Sequence, residues 1–143
     1  MPRAHPSSRS FTLVELMVVV AILGLLATVV SVSVMQSITD AKISLAKTDI
    51  RGIADGAKLF RLEYHRYPRN IEELTDPPLR NGRRHPPYFE GSMIDPWDRT
   101  YHYEARAGQY EIWTLGASGE PGGEGEEADI RWSELKRSQT RGG

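Results

Sequence analysis

The run FTLVELMVVVAILGLLATVVSVSVM, from Phe11 to Met35, constrains this chain more than anything else in it, and it carries a single charge, Glu15. An apolar run of ~20 residues is long enough to cross the hydrocarbon core of a bilayer, and a lone segment in lipid has to be helical because its backbone finds no other partner there. The alternative is a buried core helix, which asks for more surrounding protein than a chain of 143 residues offers. Glu15 is then the residue to explain. An ionised carboxylate costs roughly 2.5–3.5 kcal/mol near the centre of a spanning helix, and less toward an end. Either it reaches up to the headgroups, or it has a functional partner of opposite charge.

Ahead of the run lies MPRAHPSSRS, short, polar and basic through Arg3 and Arg9. The positive-inside rule puts that end in the cytoplasm and the residues after about 36 across the membrane, although Lys42 and Lys47 beyond the span weaken the charge bias. From Gln36 onward the pattern turns amphipathic. Ile43, Ala46, Ile50, Ala54, Ala57, Phe60 and Tyr64 recur at spacings of three and four, with Lys42, Lys47, Asp49, Arg51, Asp55, Lys58, Arg61 and Glu63 between them. No Pro interrupts the stretch, so one helix is predicted from about 11 to 64, near 80 Å long at ~1.5 Å per residue. Gly52 and Gly56 form a small-x-x-x-small pair in its amphipathic half. Two readings stay open for them: close approach of another backbone, or simple tolerance beside the packed face.

Beyond Tyr64 the pattern breaks into short pieces. The segment Tyr64-His65-Arg66-Tyr67-Pro68 closes the helix, a short helix is predicted at about 70–75, and residues 77–87 read as loop. In that loop Arg80, Arg83 and Arg84 are either an interaction patch or a solvated face. Residues 99–104 and 109–114 alternate around Ala105-Arg106-Ala107-Gly108, a β-hairpin pattern in which Tyr101, Tyr103, Tyr110 and Ile112 are core candidates and Trp97 is a packed anchor. Residues 115–132 are rich in Gly and crowd Glu120, Glu124, Glu126, Glu127 and Asp129 with no basic residue until Arg131. Oxygen donors on a flexible loop suit Ca2+, and a solvated acidic loop is the alternative. The tail from Glu134 is polar and predicted to fray.

Two motifs carry a resemblance to a known family. The order S-F-T-L-V-E-L-M-V-V-V-A-I-L-G-L-L-A at Ser10–Ala27 resembles the class III leader of type IV pilins and type II secretion pseudopilins. E-Y-H-R-Y-P at 63–68, together with D-P-W-x-x-x-Y-x-Y at 95–103, is similar to the GspG-type major pseudopilins in particular. The resemblance implies that a prepilin peptidase cuts between Ser10 and Phe11 and methylates the new amine. It implies that Glu15, then the fifth residue, meets the amine of a neighbouring subunit during assembly. Opposite charges in a low-dielectric bundle attract strongly, and each relieves the other's desolvation. Ser10 stands where the family has Gly, and Val30-Ser31-Val32-Ser33-Val34 stands where many members have a helix-breaking Pro, so a more continuous helix is expected. The family's S-L-G-A-D-G…D-I-x-x-W loop holds calcium. By position this assigns the Leu115 carbonyl, Ser118 in place of Asp, and the Asp129 carboxylate, with Glu126 and Glu127 as further donors.

The predicted architecture is α+β and type IV pilin-like. A long N-terminal helix with a membrane-spanning first half packs on a small antiparallel sheet with a C-terminal metal-binding loop. Residues 1–10 are the leader, 11–35 the transmembrane and assembly helix, and 36–143 a periplasmic domain. A net charge of −1 gives no nucleic-acid footprint, and the absence of Cys leaves no disulfide or thiolate site. His65, His85 and His102 are scattered, and neither H-E-x-x-H nor a Walker A pattern occurs, so no enzyme is expected. The resemblance implies a homo-polymer in the inner membrane that assembles into a periplasmic pseudopilus. Its partners would be minor pseudopilins, an inner-membrane assembly platform and an outer-membrane secretin. Type IV pilus or competence-type subunits share the leader, but they often carry a longer C-terminal domain and a Cys pair, neither of which is present here.

Overall fold

The computed structural model describes residues 11–141, apart from the side chains of 29–33. Helix α1 runs from Leu13 to Tyr64. Thr12 caps it: its carbonyl accepts from Leu16 N–H at 3.2 Å, and its hydroxyl oxygen accepts from Glu15 N–H at 3.2 Å. Thr12 therefore stands at the Ncap place and Glu15 at N3. The helix is unbroken through residues 30–34, as expected without the Pro. It stops when His65 turns left-handed (φ 56°) and donates its N–H back to the Arg61 carbonyl at 2.9 Å, a closure usually made by Gly. The closure falls within the expected 64–68 segment, at His65 rather than at the residue before Pro68.

The chain forms two compact units that divide between Ile38 and Thr39. In the first, the apolar side chains stand in the open, from Phe11 at 78% exposed and Leu13 at 75% to Leu25 at 70%. The membrane-spanning half expected here is not met in full: among the described residues no helix is long and apolar enough to cross a membrane. The side chains of 29–33, in the middle of the run, lie outside the described residues.

The second unit is built on the amphipathic part of α1. Ala46, Ile50, Ile53, Ala54, Ala57 and Phe60 are fully buried, Ile43 and Tyr64 partly. A three-stranded antiparallel sheet packs on this stripe, with β1 (His102–Arg106), β2 (Gln109–Thr114) and β3 (Ile130–Arg131) in that order. The hairpin register pairs Arg106 with Gln109 across Ala107 and Gly108, whose φ values of 47° and 80° make the two-residue turn that suits the strand twist. Ring burial and polar tips fasten sheet to helix: Tyr101 donates to Asp49 at 2.9 Å and Tyr110 to the Ala54 carbonyl at 3.2 Å.

Three features go beyond the sequence reading. First, Gly52 and Gly56 of α1 allow close approach within the chain. A Cβ on Gly56 would lie 2.8 Å from the Tyr88 carbonyl oxygen, and one on Gly52 would lie 2.8 Å from the Phe89 ring. The segment is held there by Tyr88 N–H donating to the Leu74 carbonyl at 2.8 Å, from the short 3-10 turn Ile71–Leu74. Second, β3 pairs Trp113 with Arg131 and Thr114 with Ile130, too short a strand to leave an alternating pattern. Third, the tail does not fray from Glu134. Helix α2 spans Trp132–Arg141, because Trp132 and Leu135 bury against the core and Ser133 N–H donates to the Glu111 carboxylate at 2.9 Å.

Candidate functional site

Two regions carry the residues singled out by sequence. At the N-terminus, Ser10 and the leader 1–10 lie outside the described residues, while Phe11 and Glu15 are exposed at the head of α1. The Glu15 carboxylate stands in the first turn of an otherwise apolar surface. That is the end of a helix where a negative charge is favoured.

The other region is the acidic loop, and its frame begins at the D-P-W segment. Asp95 is 4% exposed, and its carboxylate gathers three donors: Trp97 N–H at 3.0 Å, Arg99 N–H at 2.9 Å and the Thr114 hydroxyl. This closes the turn that aims Arg99 at the loop. The Arg99 guanidinium donates to the Gly116 carbonyl at 2.7 Å and to the Ala117 carbonyl at 3.0 Å. Ala117 N–H donates to the Glu126 carbonyl at 2.9 Å, drawing the two limbs of the loop together. Only Gly fits at position 116: φ is 62°, and a Cβ would lie 2.6 Å from the Glu126 carbonyl oxygen.

Within this frame the predicted ligands part company. Ser118 Oγ lies 3.4 Å from the Leu115 carbonyl oxygen and 3.3 Å from that of Glu120, and it accepts from Glu120 N–H at 3.2 Å. The Leu115 carbonyl also accepts from Gly119 N–H at 3.3 Å, so three oxygens converge in this turn. Leu115 and Ser118, named by the resemblance, stand side by side in this turn, with the Glu120 main chain beside them. Asp129 closes the loop, accepting from Gly122 N–H at 3.1 Å and from Arg131 at 3.0 Å. The Glu127 side chain is exposed. Among the described residues no group of three or more His, Cys, Asp or Glu could hold a metal ion. A cation here would therefore rest mainly on carbonyl and hydroxyl oxygens.

Glu126 has another occupation. Its carboxylate accepts from Trp97 Nε1 at 2.8 Å and from the Thr39 hydroxyl at 3.1 Å, with Lys42 Nζ at 3.7 Å. It clasps the loop to α1 and to the D-P-W segment. The Trp97 indole N–H, followed by Thr39 and Lys42, holds this carboxyl below the usual range against the opposing effect of burial. A carboxyl lowered by folding stabilises the folded state above its unfolded pKa, and that stability is lost as pH falls through the lowered folded value. Replacing Glu126 with Gln is expected to speed amide exchange across 120–128 at neutral pH and to remove the acid-induced loosening of the wild type. Hydrogen exchange at two pH values reads both effects, and an unchanged acid response in the variant would refute the clasp. Nothing in the local spacing marks Glu126 among its acidic neighbours, since its partners are 29 and 87 residues away.

An apolar, carboxylate-bearing helix joined to a small sheet and a carbonyl-lined loop is the layout of a pilin-like subunit. The comparisons agree. Residues 6–31 match the prokaryotic N-terminal methylation motif, and residues 33–133 match type II secretion system protein G. The chain belongs to the type II secretion system protein G family. It is 37% identical to a type II secretion system core protein G of Pseudomonas aeruginosa over 129 residues, covering 84% of this chain and 91% of that protein. Its counterpart in Vibrio cholerae is also 37% identical, over 130 residues, covering 84% and 88%. The fold is similar to that of the major pseudopilin from the type 2 secretion system of enterohaemorrhagic Escherichia coli. The TM-score is 0.51 at 22% identity, covering 67% of this chain and 86% of that one.

Proposed function

We propose that this chain is a structural subunit of the type II secretion pseudopilus, polymerising by its N-terminal helix to drive folded proteins across the outer membrane. The observation that carries this reading is the first half of α1, an apolar surface left open to solvent with one carboxylate at its head. Such a surface is not stable as a free face and calls for lipid before assembly and neighbouring helices after it. In this reading a prepilin peptidase removes residues 1–10 and leaves Phe11 as the first residue. The subunit then waits in the inner membrane with residues 36–143 in the periplasm. Minor pseudopilins, the assembly platform and the secretin are its partners, and its role is mechanical rather than enzymatic. The test is complementation of a strain that lacks its own protein G. Restored secretion with sheared fibres whose subunits begin at Phe11 by mass spectrometry is expected, and fibres absent under overexpression would refute the reading.

The acidic loop is proposed to take Ca2+. The Leu115 carbonyl, Ser118 hydroxyl and Glu120 carbonyl supply the convergent oxygens, and Asp129 and Glu127 supply charge. Bound there, a divalent cation would offset Asp129 and Glu127 and rigidify the loop, leaving the exposed Glu120 and Glu124 carboxylates outside the site. Glu126 contributes through the clasp that holds the loop in place. Ser118, where the family has Asp, removes one full charge and weakens the site. The measurement is the melting of fragment 36–143 in EGTA and then in added Ca2+ or Mg2+. An ion that binds only the folded state at ~100-fold excess over Kd adds roughly 2.7 kcal/mol. A rise with Ca2+ and none with Mg2+ is expected, and an identical melt in EGTA and Ca2+ would rule the ion out.

A further inference from the structure

The second unit, Thr39–Gly143, carries one cluster of like charge toward each end of its helix. One end carries a basic turn. Arg80 N–H donates to the Arg83 carbonyl at 3.0 Å and Arg83 N–H to that of Arg80 at 2.9 Å, around Asn81 and Gly82 with φ of 51° and 72°. That is a closed two-residue turn, rigid by construction. It is moored to the last turn of α1 at Glu63, which has Arg80 at 3.6 Å and His85 at 3.2 Å. Arg83 and Arg84 face outward: Arg84 has only Asp76 at 3.6 Å, with both side chains at least 75% exposed, and such a pair is worth little. Arg83 makes no ion pair among the described residues.

The other end carries the acidic loop, moored to the start of this unit's helix by Thr39 and Lys42. Glu120 and Glu124 are exposed there and form no ion pair among the described residues. Lys42 and Glu63 lie on one unbroken helix, so the two moorings stand roughly 30 Å apart at ~1.5 Å per residue. The screening length at physiological salt is about 8 Å. The two patches therefore do not neutralise each other within one molecule, and each presents its charge to a neighbour.

We infer that the basic turn at Arg83 and Arg84 of one copy docks on the acidic loop at Glu120 and Glu124 of another. This contact rests on the reading that the chain polymerises. In copies whose N-terminal helices all run the same way, as the polymer reading has them, each offers one free end of each sign and the contact is heterologous and propagates. It disfavours turn-to-turn and loop-to-loop contacts, which are repulsive. It also supplies directed attraction outside the apolar helices, whose packing is otherwise weakly directional.

The test uses the full-length chain and sheared fibre yield. Reversing one side, with R83E and R84E together or E120R and E124R together, is expected to lower yield roughly tenfold or more, since it turns the attraction across the contact into repulsion. Combining all four is expected to restore yield to within about threefold of wild type, as a swapped pair regains attraction. None of these four side chains is buried, so folding is unaffected, which the melt of each variant checks. A second measurement places Cys at 83 and 124 in this Cys-free chain. The two positions are too far apart to bridge within one copy, so cross-linked fibres give a ladder that neither single variant gives. Wild-type fibres with silent reversals, no rescue, or no ladder would each overturn the contact. Absence of wild-type fibres would instead overturn the polymer reading beneath it.

Discussion

Replacing Glu15 with Ala is expected to leave membrane insertion intact and to reduce fibre assembly to below the level of detection by shearing. Insertion improves if it changes at all, because a carboxylate costs roughly 2.5–3.5 kcal/mol near the centre of a spanning helix and less near its end. The local fold is also spared, since the bond at the head of α1 runs from Glu15 N–H to the Thr12 hydroxyl and does not use the carboxylate. What the variant is expected to lose is the charge that, in the proposed assembly, meets the amine of a neighbour. Removing one partner of a desolvated pair costs about 3–5 kcal/mol, because the other charge is left without compensation. Repeated at every subunit, a loss of that size stops elongation. Glu15→Gln keeps the shape and the hydrogen-bonding capacity and is expected to fail as Ala does. Normal fibres from either variant, with insertion confirmed by carbonate extraction, would show that Glu15 sets nothing in assembly.

Replacing Asp95 with Ala is expected to cost the folded unit about 3–5 kcal/mol, since each buried donor left without a partner costs ~1–3 kcal/mol. The Thr114 hydroxyl and the N–H groups of Trp97 and Arg99 all lose their acceptor. The damage spreads beyond the cavity. Without the Asp95 turn, Arg99 no longer reaches the Gly116 and Ala117 carbonyls, and the acidic loop loses its frame. Against a domain stability of about 5–15 kcal/mol this is a large fraction. Urea unfolding of fragment 36–143 gives the number, and a loss below about 1 kcal/mol would mean that water replaces the carboxylate at no expense. Asp95→Asn, which keeps one acceptor oxygen, is expected to fall between.

The D-P-W motif shows how far a local pattern reaches. Its residues are recognisable in the sequence, yet the reading of Trp97 as a packed anchor saw only half its role. The indole N–H donates to Glu126, and the motif as a whole is a brace for the loop. The same holds for the tail. Residues 134–141 are polar enough to look frayed, and only the burial of Trp132 and Leu135 turns them into α2. For Gly52 and Gly56 the spacing raised the right question, but the answer depended on where Tyr88 and Phe89 return to the helix.

What the sequence determined by itself was everything written in short-range periodicity and in the chemistry of single segments. The apolar run with one carboxylate dictated a helix that cannot stand alone, and the stripe from Ile43 to Tyr64 dictated its buried face. The alternation around Ala107 and Gly108 dictated the hairpin. These signals are local because a helix repeats every 3.6 residues and a strand every two, within windows that a reader can count. What only the tertiary structure decided were the pairings across long separations. Glu126 reaches Thr39, Asp95 reaches Thr114, and the basic turn and acidic loop come to lie at opposite ends of one helix. A single acidic residue in a cluster looks like its neighbours until the fold chooses which one meets a donor. That choice is made by distance in space, which the order of residues does not contain.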